Sequence, residues 1–595
     1  MKTYKFYPIL LIIPLFIVAW GLFNLYFFDT FYSRAIDPEY PYLINGLNVA
    51  LLKFNRIGHF DHPGTPFQVF CGVIIRITHL FTGKDSIAQD VFNRPDYYLN
   101  AISFSLILLQ SLLTLLIGWI GKKRGIKIWQ LVILQAGVLF NVLMLWMFYR
   151  VFPERWLVIV ALLFIIAYLL YGYKERKPLK FAIWSGIIMG MGMATKFNFL
   201  PILILPFLLI HSNKNRLIYA GTGIASFFFF LLPVIKKFGD YRRFITSIAT
   251  HDGIYGQGAE RMFDPAKMKE SISQIFNVAP ELMFVIFAII AAIILAVLYR
   301  KTHKTNINIL FFTGMFFIVL LQIVMVSKHF KNTYLIPVFT IYPLFLFLLD
   351  DFIHKIIPSK IWKLTPVVLL FVIFTGFSTK QVFEDIKPIS ENIAQRETMR
   401  KYVSENLPPN AFWFVEPTWE SAPYVENGII YGLCYCHHRE DYAPVLMNKN
   451  PNLLVHSDDE GLNNIWKEKE IRINGIITTG IPVYVYSSPG RNADALIKVL
   501  EAAAERNQVV LTVETVFSND YLKSHIIAVQ NKQSQDVLST EKLEAFLREA
   551  KIQEAMQAIY NTPDWLKTVE DKAKEKNIPL DSMVLLDAIW VVDNP

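Results

Sequence analysis

Cysteine is nearly absent from this chain, with three in 595 residues, at positions 71, 434 and 436. So few cysteines exclude a disulfide framework as the basis of the fold. Cys434 and Cys436 are separated by a single residue, a spacing too tight for an easy bridge. We therefore expect two unpaired thiols at these positions.

Other absences narrow the range of functions. Neither a phosphate-binding loop nor a dinucleotide fingerprint occurs, which argues against a nucleotide-binding site. No internal repeat or low-complexity segment is visible, and no Asn-x-Ser/Thr sequon occurs. What the missing repeat and the missing sequon imply depends on whether the chain lies in a membrane. Its apolar content indicates that it does.

Hydrophobic residues make up 54% of the chain and include 48 phenylalanines and 12 tryptophans. This composition lies far from that of soluble proteins and predicts a polytopic α-helical membrane protein. The net charge of +9 would suggest a nucleic-acid partner in a soluble chain. Here Lys and Arg concentrate between apolar segments, which is the orientation signal of membrane helices. We therefore predict a lipid bilayer as partner and no nucleic acid.

The apolar segments predict about eleven transmembrane helices, each of roughly twenty residues or fewer. The first, at 6–28, is too long for a signal-peptide core and indicates an uncleaved helix. Basic clusters at 121–124 and 174–177 fall on the side of the N-terminus. By the positive-inside rule, the N-terminus is predicted to be cytoplasmic and the C-terminus to lie outside.

Composition predicts three domains. Residues 1–379 form the membrane domain, with outer loops at 29–98 and 235–280. Beyond 380 the apolar runs shorten to strand length, which predicts an extracytoplasmic α/β domain at 380–535. Its predicted strands are 411–415, 428–433, 471–477, 483–486, 509–516 and 526–529, with a helix at 493–504. Residues 536–595 are predicted to be a short helical appendage.

The first outer loop holds the most unusual polar cluster. Asp37 and Glu39 lie just after the first apolar segment, and His59, Asp61 and His62 follow further along the loop. In a membrane protein, ionisable groups held next to the bilayer are by default a functional-site hypothesis. We therefore predict an active site on the outer side of the membrane.

Further polar clusters fall on the same predicted side. They are Arg150 with Glu154, Lys196, the run Lys328-His329-Phe330-Lys331, and a glycine-rich segment with His251, Asp252 and Tyr255. Glycines let the backbone move and approach a ligand, so this last segment is either a lid or a flexible connection. The simplest interpretation of Arg150 and Glu154 is that they pair with each other.

Together these residues resemble the GT-C superfamily of membrane glycosyltransferases, in particular its protein mannosyltransferase and lipid A aminoarabinose transferase branch. The resemblance covers about residues 6–350. It is carried by Asp37-Pro38-Glu39, by a small-residue helix ending in Thr195-Lys196, and by 328–337, which is similar to a late His/Arg-Tyr-Leu-x-Pro segment. The chain departs from the pattern at His62-Pro63-Gly64, where the aminoarabinose transferases have Lys-Pro-Pro. His62 is therefore either a donor contact or a plain turn residue.

The resemblance implies transfer of a sugar from a polyprenyl-phosphate donor to a glycolipid, glycan or protein acceptor at the outer face. Such a transfer needs a base, for which Asp37 is the first candidate and Glu39 the second. It also needs positive charge for the departing phosphate. The candidates for that role are Lys196, Lys328, His329, Lys331, Arg150 and His62, while His251, Asp252 and Tyr255 are candidates for acceptor binding or a lid. The alternatives are a helix cap for the carboxylates and interfacial anchoring for the lysines.

A divalent metal is a further hypothesis. Asp37, Glu39, Asp61 and His59 offer the mixed oxygen and nitrogen ligands that hold Mn²⁺, Mg²⁺ or Zn²⁺. Their spacing matches no strong metal-binding motif.

Three other functions compete with the transferase. They are a transporter of lipid-linked glycans, an O-antigen ligase or polymerase, and a non-catalytic envelope assembly protein. A transporter usually has an internal repeat and polar mid-membrane helices, which are not seen here, and a ligase would depend on a large late outer loop. The absence of sequons favours a bacterial inner membrane, with the C-terminal domain periplasmic.

Overall fold

The computed structural model describes residues 8–60, 64–175, 177–252, 256, 258–262, 264–299, 309–356, 360–408, 411–415, 418–419, 421–455, 476–478, 481–489, 493–532, 548, 551–552 and 555–594. The chain divides into two compact units. The first comprises residues 1–400 and 417–449, and the second comprises 401–416 and 450–595.

The first unit is helical. Its helices are α1 (Ile12–Phe27), α2 (Phe31–Arg34), α3 (Glu39–Ala50), α4 (Thr65–Thr82), α5 (Ile87–Asn93), α6 (Pro95–Lys123), α7 (Ile128–Gln135), α8 (Val142–Trp146), α9 (Pro153–Ala167), α10 (Pro178–Thr195), α11 (Ile204–Leu209), α12 (Asn213–Leu231), α13 (Phe238–Thr250), α14 (Pro265–Val278), α15 (Glu281–Tyr299), α16 (Ile309–Lys328), α17 (Ile336–Phe339), α18 (Tyr342–Ile356), α19 (Lys360–Asn406), α20 (Val425–Leu433) and α21 (Ala443–Lys449).

The length and apolarity of these helices are those of membrane spans. Among the described residues, eight helices are long and apolar enough to cross a bilayer. The number rises to ten if each of two sharply bent helix pairs, α4 with α5 and α7 with α8, forms one span. The prediction of a polytopic helical membrane protein is confirmed, while the count of about eleven spans stays a prediction.

Helices α10 and α12 pack closely because glycines face each other across the contact. A Cβ added at Gly190 would lie 2.5 Å from the carbonyl oxygen of Gly223 and 2.7 Å from the backbone nitrogen of Phe227. Small residues at such positions let two backbones approach, which is a common basis of helix association in membranes. This contact fixes the position of the C-terminal end of α10, where Lys196 follows.

The late segment Pro417–Lys449 belongs to the first unit, together with the first outer loop. The sequence predicted a strand at 428–433, but this prediction is wrong because Val425–Leu433 forms α20. Short apolar runs fit either structure, and here Gly428 and Gly432 place α20 directly against α3. The predicted domain boundary at 380 differs from this division, since residues up to Arg400 also lie in the first unit.

The cysteines of this segment remain separate. Cys434 is partly buried, Cys436 is buried, and both are free thiols, as expected from their spacing.

The second unit contains a five-stranded mixed sheet. Its strands are β1 (Phe412–Val415), β2 (Leu453–Val455), β3 (Val483–Ser487), β4 (Leu511–Asn519) and β5 (Ser524–Asn531), in the order β2-β1-β3-β5-β4. Strand β1 runs parallel to β2 and β3, whereas β5 is antiparallel to β3 and β4. Leu496 and Leu500 of α22 (Asp494–Arg506) pack on the sheet residues Phe414 and Val485. The predicted α/β character of this part is confirmed, although most of the predicted strand 471–477 lies outside the described residues.

The C-terminal appendage is helical, as predicted. Helices α23 (Pro563–Lys576) and α24 (Leu580–Asp593) pack through buried Val569, Ala573 and Val584.

The α10–α12 contact generates a prediction. Gly190→Ala should lower the unfolding midpoint in detergent, with a cost of about 1–3 kcal/mol, because the added methyl group meets backbone that cannot move aside. The control is Gly221→Ala on α12, where an added Cβ meets nothing within 4 Å. Equal midpoints for the two variants would contradict the proposed packing role.

Candidate active site

A buried ion pair joins the first outer loop to the segment before α9. Glu39 is the first residue of α3 and is fully buried. The Arg150 guanidinium binds both of its carboxylate oxygens, and a second donation from Arg150 reaches the backbone oxygen of Asp37 at 3.0 Å. A bidentate arginine–carboxylate pair is directional as well as strong. The pair therefore sets the conformation of the loop on both sides of Pro38.

The pair also determines the charge of the arginine. The Glu39 carboxylate raises the pKa of Arg150 above its ordinary value, against the opposing effect of burial. Arg150 thus stays protonated, and its guanidinium group already binds the Glu39 carboxylate. The structure places Arg150 in contact with the carboxylate of Glu39 and the backbone of Asp37, while its predicted role in binding donor phosphate stays a prediction.

Arg150 is itself held by a buried arginine of α9. The fully buried Arg155 of α9 donates to the backbone oxygen of Arg150 at 3.0 Å and to the hydroxyl of Ser103 at 2.8 Å. Buried charges need such partners, since an unsatisfied ion inside a protein is costly. This role of Arg155 could not be predicted from the sequence, because contacts between remote segments leave no local spacing pattern.

Asp37 lies in a mixed environment of burial and positive charge. Burial raises the pKa of its carboxyl, and the cations Lys331, Arg150 and Lys196 act in the opposite direction. A hydrogen bond from Tyr431 also favours the ionised form. A carboxylate with a raised pKa is a better proton acceptor than an exposed one, and the neighbouring cations favour its ionised form.

Lys196 is buried beside Glu154. Its ammonium donates to the Glu154 carboxylate and lies 4.4 Å from the centre of the Tyr334 ring. The simple expectation that Arg150 pairs with Glu154 is therefore wrong, because each has a different partner. The backbone oxygen of Thr195, next to Lys196, accepts from the amide of Gly64, which brings the end of α10 to the first outer loop.

A cavity of about 700 Å³ opens beside these residues. Its lining includes Lys196, Lys328, His329, Lys331, Tyr334 and Asp252. All three lysines predicted to bind donor phosphate, and His329 of the two predicted histidines, therefore share one cavity. Lys331 is exposed there, and Lys328 donates to the backbone oxygen of Ala249 at 2.7 Å.

The surroundings of His329 favour its neutral form. Burial lowers its pKa, and the neighbouring Lys328 and Lys267 lower it further. Its Nε2 is buried and has no hydrogen-bond partner within the described part of the chain. The ring can therefore contribute a neutral hydrogen bond to a ligand, while the lysines contribute the charge.

A second cavity of about 660 Å³ lies alongside the first. Leu200, Leu321 and Met325 line both cavities. The second is bounded almost entirely by apolar side chains of α10, α12 and α16 and of the segment following Lys196. The first cavity is also lined largely by apolar side chains, but it alone contains the lysines, and we call it the polar cavity for that reason.

The predicted lid residues are only partly described. Asp252 lines the first cavity and pairs with Arg261 at 2.7 Å, which lowers the pKa of Asp252. The backbone amide of His251 bonds to the oxygen of Ser247, which extends the end of α13. Tyr255 lies outside the described residues. A lid function for this segment stays a prediction.

The described members of the predicted metal set do not form a ligand cluster. Within the described chain, no three His, Cys, Asp or Glu side chains come together as a metal site requires. Glu39 is held by Arg150, and burial lowers the pKa of His59 to about 4 while its ring packs between Tyr42 and Tyr435. Asp61 and His62 lie outside the described residues. The metal stays a prediction, and no chemical step below depends on it.

Comparisons with known proteins were made for the whole chain. No protein-family model matches it, and no curated protein does. Two solved structures are similar to it. They are crystal structures of ArnT from Cupriavidus metallidurans, one bound to undecaprenyl phosphate and one in the apo state. Identity is 10%, the TM-scores are 0.46 and 0.47, and the matches cover 86% of this chain and 97% of ArnT.

The ion pair leads to a prediction about stability. Arg150→Met leaves the Glu39 carboxylate buried without its counter-charge, so we expect a loss of about 3–5 kcal/mol. The measurement is the unfolding midpoint in detergent, and the double variant Glu39→Gln with Arg150→Met should recover part of the loss. Arg243→Met removes the pair with Asp240, in which the arginine side chain is 78% exposed, and should leave the midpoint nearly unchanged. A similar loss in both single variants would contradict the assignment.

Proposed function

We propose that this chain is a membrane glycosyltransferase that moves a sugar from a polyprenyl-phosphate donor to an acceptor at the outer face of the membrane. The observation that carries the proposal is the shared position of the cations. Lys331 and Lys196 line the polar cavity and are also among the cations that act on Asp37. A phosphate held in that cavity would therefore lie next to the candidate base.

The two neighbouring cavities suit an amphiphilic donor. The polar cavity offers lysine ammonium groups for a phosphate, and the second offers an apolar surface for an isoprenoid chain. The isoprenoid chain of a membrane-bound donor is already surrounded by hydrocarbon, so its entry into an apolar cavity gains little hydrophobic free energy. The charged groups therefore have to hold the phosphate as well as orient it.

In the proposed reaction, a nucleophilic oxygen or nitrogen of the acceptor attacks the anomeric carbon of the donor sugar. The bond between that carbon and the phosphate oxygen breaks, and its electron pair leaves with the phosphate. Asp37 accepts the proton that the acceptor releases. The phosphate gains negative charge as it departs, so Lys331 and Lys328 stabilise the transition state more than the bound donor.

Glu39 and Arg150 have a positioning role in this proposal. They hold the backbone on either side of Asp37, which orients its carboxylate without using it as a hydrogen-bond acceptor for the arginine. A base must be held in line with the proton it removes, and small displacements lower the rate strongly.

The proposed setting is a bacterial inner membrane with the N-terminus in the cytoplasm and the sheet-containing unit in the periplasm. Its support is the distribution of Lys and Arg along the sequence and the absence of glycosylation sequons. Whether a divalent ion assists the departing phosphate is a separate hypothesis. Its test is to measure sugar transfer after chelation and after readdition of Mn²⁺, Mg²⁺ or Zn²⁺.

The central test is transfer by purified protein in lipid nanodiscs. The assay uses radiolabelled polyprenyl-phosphate sugars and an extract of envelope lipids and glycans as acceptors. We expect transfer by the wild type and a loss of at least about a hundredfold in Asp37→Asn, because the base is removed with little change in shape. A folded wild type that transfers no sugar, or a fully active Asp37→Asn variant, would refute the proposal.

A second prediction concerns the departing phosphate. Lys331→Gln removes an exposed charge of the polar cavity, and we expect kcat to fall about tenfold or more because the cation acts mainly in the transition state. Lys328→Gln should behave similarly. The matched control is Arg243→Gln, which removes an exposed cation that does not line the cavity. Unchanged kcat in both lysine variants would exclude them from the phosphate site.

A further inference from the structure

We propose that the surface where α12 passes into α13 binds the head groups of anionic phospholipids. Lys236, Lys237 and Arg242 form this surface, which we call the basic junction. The inference goes beyond the proposed function, because it depends on the membrane-type helices and not on sugar transfer. The position of the basic junction relative to a bilayer follows from the outward face of α12.

One face of α12, continued through the short turn after it, is an apolar stripe. Its large side chains are 38–75% exposed and recur at the spacing of a single helix face. They are Leu217, Ile224, Phe228, Leu232 and Ile235. Gly221 belongs to the same face, and a Cβ added there meets nothing within 4 Å. So much exposed apolar surface in one stripe is typical of a face that contacts lipid.

The length of the stripe matches the hydrocarbon core of a bilayer. At the rise of an α-helix, the stretch from Leu217 to Ile235 spans about 27 Å. The hydrocarbon core is about 30 Å thick. Cations flank the stripe at both ends, since Arg216 precedes Leu217 and Lys236 follows Ile235. The basic junction therefore lies at the level of the head groups.

The chain bends at the end of the stripe. The backbone at Val234 departs from helical geometry, and α13 begins shortly after it, at Phe238. Leu231 and Val234 form one buried cluster with Val49 and Ile57 of the first outer loop. The bend is thus anchored on buried side chains, and the cations that follow it are held in place.

Helix α13 turns its charged side away from the protein. Tyr241 is buried, and Ile245 and Ile248 line the polar cavity. Arg242 is exposed, and a Cβ added at Gly239 meets nothing within 4 Å. One side of this amphipathic helix therefore packs on the protein, and the side with the arginine is open to its surroundings.

The basic junction carries positive charge that the protein does not compensate. Four of the eight residues from 236 to 243 are Lys or Arg, and one is acidic. The acidic residue, Asp240, pairs with Arg243. Lys236, Lys237 and Arg242 form no ion pair within the described part of the chain. Three cations thus remain available to a partner of opposite charge.

The partner that fits this surface is an anionic bilayer. Lys and Arg are uncommon on the outer side of membrane proteins, where this loop is predicted to lie, so orientation alone does not explain the cluster. Cations at head-group depth favour anionic over zwitterionic lipids, by roughly fivefold for each charge. An acidic protein would have to reach the same cations through the head groups.

The first test compares thermal unfolding of the full chain in detergent micelles that contain either phosphatidylglycerol or phosphatidylcholine. We expect phosphatidylglycerol to raise the wild-type midpoint by about 3 °C or more above phosphatidylcholine, because a ligand of the folded state stabilises it. The difference should fall by at least half in the double variant Lys236→Gln with Arg242→Gln. Added salt should also reduce it, since exposed charges are screened. No difference in the wild type, or an equal one in the double variant, would overturn the proposal.

The matched control is the double variant Lys567→Gln with Lys576→Gln. Both lysines are exposed on α23, and their loss changes the net charge by the same amount. We expect this variant to keep the wild-type response to phosphatidylglycerol. A loss equal to that of the junction variant would show that overall charge is the cause and would overturn the proposal. Arg242→Lys should also keep the response, because an ammonium attracts phosphate as well.

A second test locates the stripe and the junction relative to the bilayer. Gly221→Cys and Gly239→Cys each place a thiol where an added Cβ meets nothing within 4 Å. In lipid nanodiscs, a water-soluble maleimide should label Gly239→Cys at least about tenfold faster, because the reactive thiolate does not form in hydrocarbon. The wild type gives the background from the native cysteines, of which two are buried.

Equal labelling rates at the two positions would place the stripe in water and overturn the proposal. Neither test requires sugar transfer. A wild type that transfers no sugar would refute the proposed function, and the lipid response and the labelling rates would still decide whether the basic junction binds anionic lipid.

Discussion

The Glu39–Arg150 ion pair is the contact on which the rest of the site depends. The Glu39 carboxylate is fully buried, the Arg150 side chain is 23% exposed, and the arginine also holds the backbone of Asp37. Arg155 and Ser103 extend the same support into α6 and α9. The beginning of α3 is thus tied to membrane-type helices by charge-assisted bonds. These bonds have a defined direction and do not slide as apolar contacts can.

The cations of this face divide into two groups. Arg150 and Lys196 pair with carboxylates, and the buried Arg155 donates to neutral oxygen atoms. Lys331 is exposed in the polar cavity, and Lys328 is half-buried there and donates to a backbone oxygen. The first group holds segments of the protein together, and the second places positive charge at the cavity.

Much of the architecture could be predicted from the sequence. The length of the apolar segments and the positions of Lys and Arg predicted a multi-pass membrane protein with a separate α/β part. Lys196 and the Lys328–Lys331 run were grouped only because they fall on the same predicted side of the membrane, and they do line one cavity. The contact partner of each side chain could not be predicted. Glu154, for example, binds Lys196, which lies 42 positions further along the chain, and no local sequence pattern indicates such a pair. The strand predicted at 428–433 was wrong for a related reason. Gly428 and Gly432 are needed because they pack against Tyr40, which is remote in the chain.

The position of α20 in the chain has a consequence for biogenesis. Helix α20 begins at Val425, after the last membrane-type helix ends, yet it covers the beginning of α3 near the N-terminus. During synthesis, the surface of α3 that receives α20 is made long before its partner. The beginning of α3 therefore acquires its complete surroundings only after the late segment has been synthesised. The assembly of this surface is thereby coupled to the end of synthesis of the first unit. A chain interrupted before Val425 would carry its membrane-type helices with this surface of α3 uncovered.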